Sequence, residues 1–176
     1  IPMAGWLARL VGRKNYQIAS IALFTFSSLM CGSSWNLQSL IVFRVLQGLG
    51  GGALMPVSQA ILRETFPPHE HGMAMATYGV GTMFGPIIGP LLGGWITDNW
   101  SWHWIFYINV PIGIGVIFLF VFYFPHLRPD ISSHRIDYPG AVLLTLTTVP
   151  FLLALTWGGV EYAWLSPQII GILVFS

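Results

Sequence analysis

Apolar residues run along this chain in long blocks, not in short alternation. Blocks near 17–34, 37–62, 72–97 and 104–124 are followed by a fifth, Tyr138–Trp157, and a sixth begins near residue 166. Crossing a hydrocarbon core of roughly 30 Å takes about 20 mostly apolar residues in helical form. A backbone facing lipid must satisfy its own hydrogen bonds, which selects helices. A membrane barrel would need short alternating segments, and the pattern lacks them. Polar breaks between the blocks are short, at 35–36, 63–71, 98–103, 125–137 and 158–165. The pattern predicts an all-α integral membrane protein, a helical bundle whose successive helices run antiparallel.

Basic residues give that bundle a direction. Arg9, Arg13 and Lys14 precede the first block, Arg63 follows the second, and Arg128 and Arg135 follow the fourth. Alternate loops place all of them on one side, and the positive-inside rule makes that side cytoplasmic. Residues 5–15, 63–71 and 125–137 are thus expected to face the cytoplasm of a multi-pass protein of the cell (inner) membrane. Trp35, Trp95, Trp100, Trp102, Trp104, Trp157 and Trp164 cluster at the opposite helix ends, as an interfacial aromatic belt would.

Composition supports this reading and narrows the function. Of 176 residues, 55% are hydrophobic and 7% charged, against roughly 25% charged in soluble domains. That excludes a soluble enzyme. A net charge of +1 offers no basic field for nucleic acid. Cys31 alone rules out a disulfide framework or a multi-thiolate zinc site. No metal site is expected: His69-Glu70-His71 follows Pro67-Pro68 and reads as a solvated turn. His103, between two tryptophans, reads as interfacial, and Asp137 as a charge complementing a helix N-terminus. The chain opens on Ile1 and stops within an apolar run, and reads as an internal piece of a larger membrane protein.

Two intramembrane patterns carry chemistry. Arg44 is the basic residue inside a span, and mid-helix Arg costs roughly 2.5–3.5 kcal/mol on insertion scales. Helical spacing puts Arg44, Gln47, Gly48, Gly51, Met55, Ser58 and Gln59 on one face. That stripe suits the wall of a water-filled cavity; snorkelling of Arg44 to outer headgroups is the alternative. Arg keeps its proton, so its role would be to hold a carboxylate ionised or to admit a polar group. Pro56 and the run Gly50-Gly51-Gly52 predict a bend. Farther on, Gly81, Gly85, Gly89 and Gly93 recur every four residues, with Pro86 and Pro90 inside the series. Small residues at this spacing form a groove for a neighbouring helix; plain packing and a specialised hinge or seal are both open readings.

These motifs resemble the major facilitator superfamily, in particular its fourteen-helix drug:proton antiporters of the EmrB type. Gly5-Trp6-Leu7-Ala8-Arg9-Leu10-Val11-Gly12-Arg13-Lys14 is similar to motif A, and the stretch from Leu40 through Arg44, Gln47, Gly48 and Gly50 to motif B. The series from Gly81 to Pro90 is similar to motif C of antiporters, and Trp102–Gly113 resembles the start of helix six in that subgroup. Motif A usually carries Asp where this chain has Arg9, and the acidic proton carrier of helix one has no counterpart here.

The resemblance implies a fragment with about five full transmembrane helices plus partial ends. Residues 1–15 would be a helix end and the motif A loop, 16–124 helices three to six, 125–137 a cytoplasmic loop, and 138–176 helix seven with the start of eight. It implies secondary active export of hydrophobic or cationic drugs in exchange for protons, driven by the gradient without a cofactor. Arg44, Gln47, Gly48, Met55, Ser58 and Gln59 would serve the cavity and proton coupling. Gly81, Gly85, Pro86, Gly89 and Pro90 would form a tight seam, and Gly5, Gly12, Arg13 and Lys14 a cytoplasmic gate loop. Partners would be the bilayer, the substrates and protons and, in a double-membrane bacterium, a periplasmic adaptor and outer-membrane channel. Alternatives are a uniporter or symporter on the same fold, or a non-transporting sensor or scaffold.

Overall fold

The computed structural model describes residues 4–124 and 138–175; the segment 125–137, with Arg128, Arg135 and Asp137, and the side chain of Arg9 lie outside the described residues. The described residues are helical nearly throughout, and four helical stretches are long and apolar enough to cross a membrane: Leu37–Thr65, Pro68–Asn99, Trp104–Tyr123 and Pro139–Trp157. The chain divides into two compact units, whose described parts are 4–124 and 138–175.

In the first unit, α1 (Ala4–Val11) and α2 (Arg13–Gly32) meet at Gly12. Its φ of 90° lies where a Cβ is strained, so glycine makes the corner. The stretch 5–15, expected as a loop, is instead two helices joined at one residue. The chain continues through α3 (Leu37–Gly51), α4 (Leu54–Thr65), a single 3-10 turn at Pro68–Glu70, α5 (His71–Asn99), α6 (Trp104–Tyr107) and α7 (Asn109–Tyr123).

Prolines and glycines set the interruptions. Between α3 and α4 the helix breaks at Gly52 and Ala53, four residues before Pro56, whose missing N–H leaves the Gly52 carbonyl without its intrahelical donor. The bend expected there takes the form of this break. Pro111 does the same to the Tyr107 carbonyl, and α6 gives way to α7 at Ile108. In α5, by contrast, the helix runs unbroken through Pro86 and Pro90. Asn36 starts α3 with a reciprocal cap: its side chain accepts from the Ser39 N–H at 2.7 Å.

α2 is the hub of this unit, packing against α1, α3, α4, α6 and α7. Sequence pattern places it among the clean apolar spans, yet it is absent from the four apolar stretches because it is rich in polar residues. Lys14, Gln17, Ser20, Thr25, Ser27 and Ser28 are buried on it. Enclosure by other helices removes the need to face lipid, and Lys14, Gln17 Nε2, Thr25 and Ser28 bond to protein, while Gln17 Oε1 and Ser27 Oγ accept and donate nothing. Two glycines permit the close approach. A Cβ on Gly50 would lie 2.7 Å from the Phe24 amide nitrogen, and one on Gly113 2.0 Å from Thr25 Oγ1. The unit's buried apolar cluster, Ala4, Ala8, Ala53, Val57 and Ile61, joins α1 to α4.

The second unit holds α8 (Tyr138–Trp157), with Pro150 inside it, and α9 (Pro167–Phe175). Between them, Gly159 at φ 78° makes a tight turn under the Trp164 ring.

The two crossings predict a contrast on one helix. Gly113→Ala should lower stability in the full-length protein by about 1–3 kcal/mol, the range for overpacking a close contact. Gly115→Ala, where a Cβ meets nothing within 4 Å, should be neutral or stabilising. Thermal unfolding of both variants in detergent checks this, and equal midpoints would contradict the crossing.

Candidate functional site

Arg44 sits on α3 with its side chain exposed, anchored at one corner. Its Nη1 donates to Gln47 Oε1 at 3.2 Å. Gln47 is buried, and its Nε2 donates in turn to Ser28 Oγ on α2. The guanidinium carbon lies 4.5 Å above the centre of the Phe106 ring, and Phe106 is itself buried. A charge-assisted hydrogen bond contributes about 1.5–3 kcal/mol and a cation over an aromatic face about 0.5–2 kcal/mol. Together these match the insertion cost of about 2.5–3.5 kcal/mol. Among the described residues no carboxylate pairs with Arg44. One of its five donors is therefore committed to Gln47, and the outer part of the fork is open to a further partner.

The polar stripe around Arg44 does not form a single lining. Gln47, Gly51 and Ser58 turn toward α2: Gln17 Nε2 donates to Ser58 Oγ at 3.0 Å, and a Cβ on Gly51 would lie 3.2 Å from the Phe24 ring. Gly48, Met55 and Gln59 are exposed. The expected face is thus split along its length, one edge against α2 and the other open. Arg44 stands over the division.

Glycines at four-residue spacing on α5 present an open surface. A Cβ on Gly81, Gly85, Gly89 or Gly93 would meet nothing within 4 Å, so no helix among the described residues seats on that series. Close contact in this unit falls instead at Gly32, against the Tyr107 ring, and at Gly50 and Gly113, none of which belongs to that four-residue series. Pro86 and Pro90 leave the carbonyls of Thr82 and Pro86 without their helical donors.

The basic residues beside Gly12 act as a clamp. Arg13 pairs with Glu64 at the end of α4, and its Nη1 also donates to the Ala60 carbonyl at 3.2 Å. Lys14 is 5% exposed, and its Nζ donates to the carbonyls of Val121, at 3.2 Å, and Phe124. Those carbonyls are end-of-helix orphans of α7 and carry its negative dipole end. One corner thus ties the ends of α4 and α7 to α2. Gly5, on α1, takes no part in these bonds, and a Cβ there meets nothing within 4 Å. In the 3-10 turn nearby, His69 pairs with Glu70 at 3.5 Å while His71 Nε2 meets the Phe66 carbonyl at 2.8 Å. The two histidines of His69-Glu70-His71 thus have separate partners.

Sequence reasoning missed Gln17, Ser28, Phe106 and Glu64. The signal for Gln17 and Ser28 was present: polar residues within a helix-length block, the same argument that singles out Arg44. Phe106 had none, since one phenylalanine among twelve carries no mark of the cation above it.

The four long apolar helical stretches define a polytopic helical membrane protein. The pattern of the Major Facilitator Superfamily matches residues 1–176, and the chain belongs to that family. It is 38% identical over 174 residues to Multidrug resistance protein 3 of Bacillus subtilis (strain 168), covering 99% of this chain and 34% of that protein. To Multidrug export protein EmrB of Haemophilus influenzae it is 44% identical over 99 residues, or 56% of this chain and 19% of that protein. A Multidrug resistance protein B homolog of Mycobacterium tuberculosis is 41% identical over 152 residues, covering 86% of the chain and 28% of the relative. The chain thus spans about a third or less of the length of these curated relatives.

The clamp yields a stability contrast. Lys14→Met should destabilise the full-length protein by about 1–3 kcal/mol, because two carbonyls at the end of α7 lose the donor that the buried Lys14 supplies. Arg13 and Glu64, both partly exposed, should couple by only about 0.2–1 kcal/mol in a double-mutant cycle. Thermal unfolding of the four variants separates the two; a larger loss at the Arg13–Glu64 pair would contradict the ranking.

Proposed function

We propose that the full-length protein is a secondary active exporter that moves hydrophobic or cationic drugs out of the cell in exchange for protons. The proton gradient drives it, with no cofactor. The observation that carries this reading is Arg44, a membrane-embedded guanidinium held by Gln47 and Phe106 and open on its outer side. The printed names of the relatives, multidrug resistance and multidrug export proteins, support it. A permanent cation in a low-dielectric wall stabilises an ionised carboxylate and disfavours its protonated form. Competition between a proton and a cationic substrate for such a carboxylate is a direct route to exchange, and alternating access would carry it out as one half rocks against the other.

In this account Arg44 is the electrostatic partner of a protonatable carboxylate elsewhere in the protein. Gln47 fixes it, and the exposed Gly48, Met55 and Gln59 line the path, Met55 because a flexible thioether suits varied ligands, while Ser58, expected on the same face, is turned to Gln17 on α2. Gly81, Gly85, Pro86, Gly89 and Pro90 form a seam against a helix outside this chain and limit proton leak. Gly5, Gly12, Arg13 and Lys14 belong to the cytoplasmic gate. The protein lies in the cell (inner) membrane with 5–15, 63–71 and 125–137 cytoplasmic, and in a double-membrane bacterium works with a periplasmic adaptor and outer-membrane channel.

Arg44→Ala in the full-length protein should reduce proton-driven drug accumulation in everted vesicles, the readout of efflux there, at least tenfold while membrane insertion persists. Undiminished efflux would overturn the assignment. Gly85→Leu should raise proton leak or block efflux, read as dissipation of an imposed pH gradient in proteoliposomes; unchanged leak and efflux would remove the seam.

A further inference from the structure

Three side chains on two helices fix the amide of Gln47, and through it the place of Arg44. Arg44 has donors and no acceptor, so the Gln47 oxygen must face it, as the bond from Nη1 to Oε1 at 3.2 Å shows. The amide nitrogen then points away, to Ser28 Oγ on α2. One helical turn on, the Cys31 thiol points at the same Oε1, with Sγ 4.0 Å away. Gln47 is 6% exposed, and Ser28 and Cys31 are fully buried, so water does not stand in for either partner. The reach is short because α2 and α3 come close here: a Cβ on Gly50, three residues after Gln47, would lie 2.7 Å from the Phe24 amide nitrogen. The Phe106 face also holds Arg44, by an attraction without hydrogen-bond geometry. Direction therefore comes from Gln47.

We infer that Ser28 is a positioning residue for proton–drug exchange: by accepting from Gln47 Nε2 it keeps the amide oxygen on Arg44 and the guanidinium where a carboxylate can meet it. The inference rests on the exchange role proposed for Arg44 above. Without the Ser28 hydroxyl, Gln47 holds a buried N–H with no acceptor, which the side chain escapes by turning away from α2. Arg44 then loses its partner on α3 and regains rotamer freedom. A cation farther away on average favours an ionised carboxylate less, so the exchanged proton is held to higher pH. Cys31 is the titratable group that meets this amide from α2. On the side of α6, Tyr107 is turned to the Gly32 carbonyl and His103 to Ser101, and α3 carries no titratable residue besides Arg44.

The test is drug-induced proton release from the full-length protein in detergent, with tetraphenylphosphonium as the drug and a pH indicator as the readout over a range of pH. Ser28→Ala should move the midpoint of release upward by about 0.5 pH unit, a fraction of the effect of a neighbouring opposite charge on a carboxylate. Ser28→Thr, which keeps the acceptor, should hold the midpoint of the unaltered protein. Gln47→Leu should move it in the same direction, and adding Ser28→Ala to Gln47→Leu should move it no further, since Ser28 acts through that amide. Ser34→Ala, which removes a buried bond to the Cys31 carbonyl just past the end of α2, should lower thermal stability and leave the midpoint in place. An unshifted midpoint in Ser28→Ala, an equal shift in Ser34→Ala, or additive shifts in the double variant would overturn the inference while leaving the role of Arg44 standing. Should Ser28→Ala not fold, Gln47→Leu breaks the same bond from the other side, and an unshifted midpoint there overturns it too. No proton release from the unaltered protein, or release unchanged by Arg44→Ala, would remove the exchange role and this inference with it.

Discussion

In hydrocarbon a polar group must find its partner within the protein, and that constraint organises this chain around α2. The helix carries Lys14, Gln17, Ser20, Thr25, Ser27 and Ser28 on buried positions, an array that no lipid-facing helix could hold. Its neighbours are drawn in to cover them. Gly50 and Gly113 permit the approach at two crossings, where any Cβ would collide with Phe24 or Thr25. The candidate site inherits its positions from this packing: Ser28 receives Gln47, Gln47 receives Arg44, and Phe106 supplies the face beneath the guanidinium.

The same constraint explains the corner at Gly12. Gly12 turns the chain so that Arg13 and Lys14 diverge, one toward Glu64 on α4 and the other toward the last carbonyls of α7. A helix C-terminus at a membrane boundary has unmet carbonyls, and an ammonium is suited to them by charge and by its three donors. Lys14 thereby couples the end of α7 to the same helix that braces Arg44.

Much of this was legible in the sequence. Long apolar blocks gave the helices α3 to α8 close to their observed limits, and Pro56 with its glycine run marked the break between α3 and α4. Arg44 stood out because its charge conflicts with its surroundings. α2 was read as an apolar span from its block length, which does not reveal that one face of it is polar and buried while Leu23, Phe26 and Leu29 are exposed. The corner at Gly12 was expected as a loop from its resemblance to motif A, whereas it is two helices meeting at one residue, with Arg13 on Glu64 and the Ala60 carbonyl and Lys14 on the carbonyls of Val121 and Phe124. The division of the Arg44 stripe was hidden for a related reason. Spacing fixes a face about 100° wide, but which edge meets a neighbour depends on a crossing set by Gly50 and Phe24, far apart in sequence.

The account stands on Arg44 being held at a wall that water reaches. The most direct measurement replaces it with cysteine in a full-length protein carrying Cys31→Ser and asks which thiol reagents modify that position. Rapid modification by a charged, membrane-impermeant reagent, slowed by bound substrate, is the predicted result. Modification only by a lipophilic reagent, indifferent to substrate, would place the side chain in the acyl chains and contradict the account.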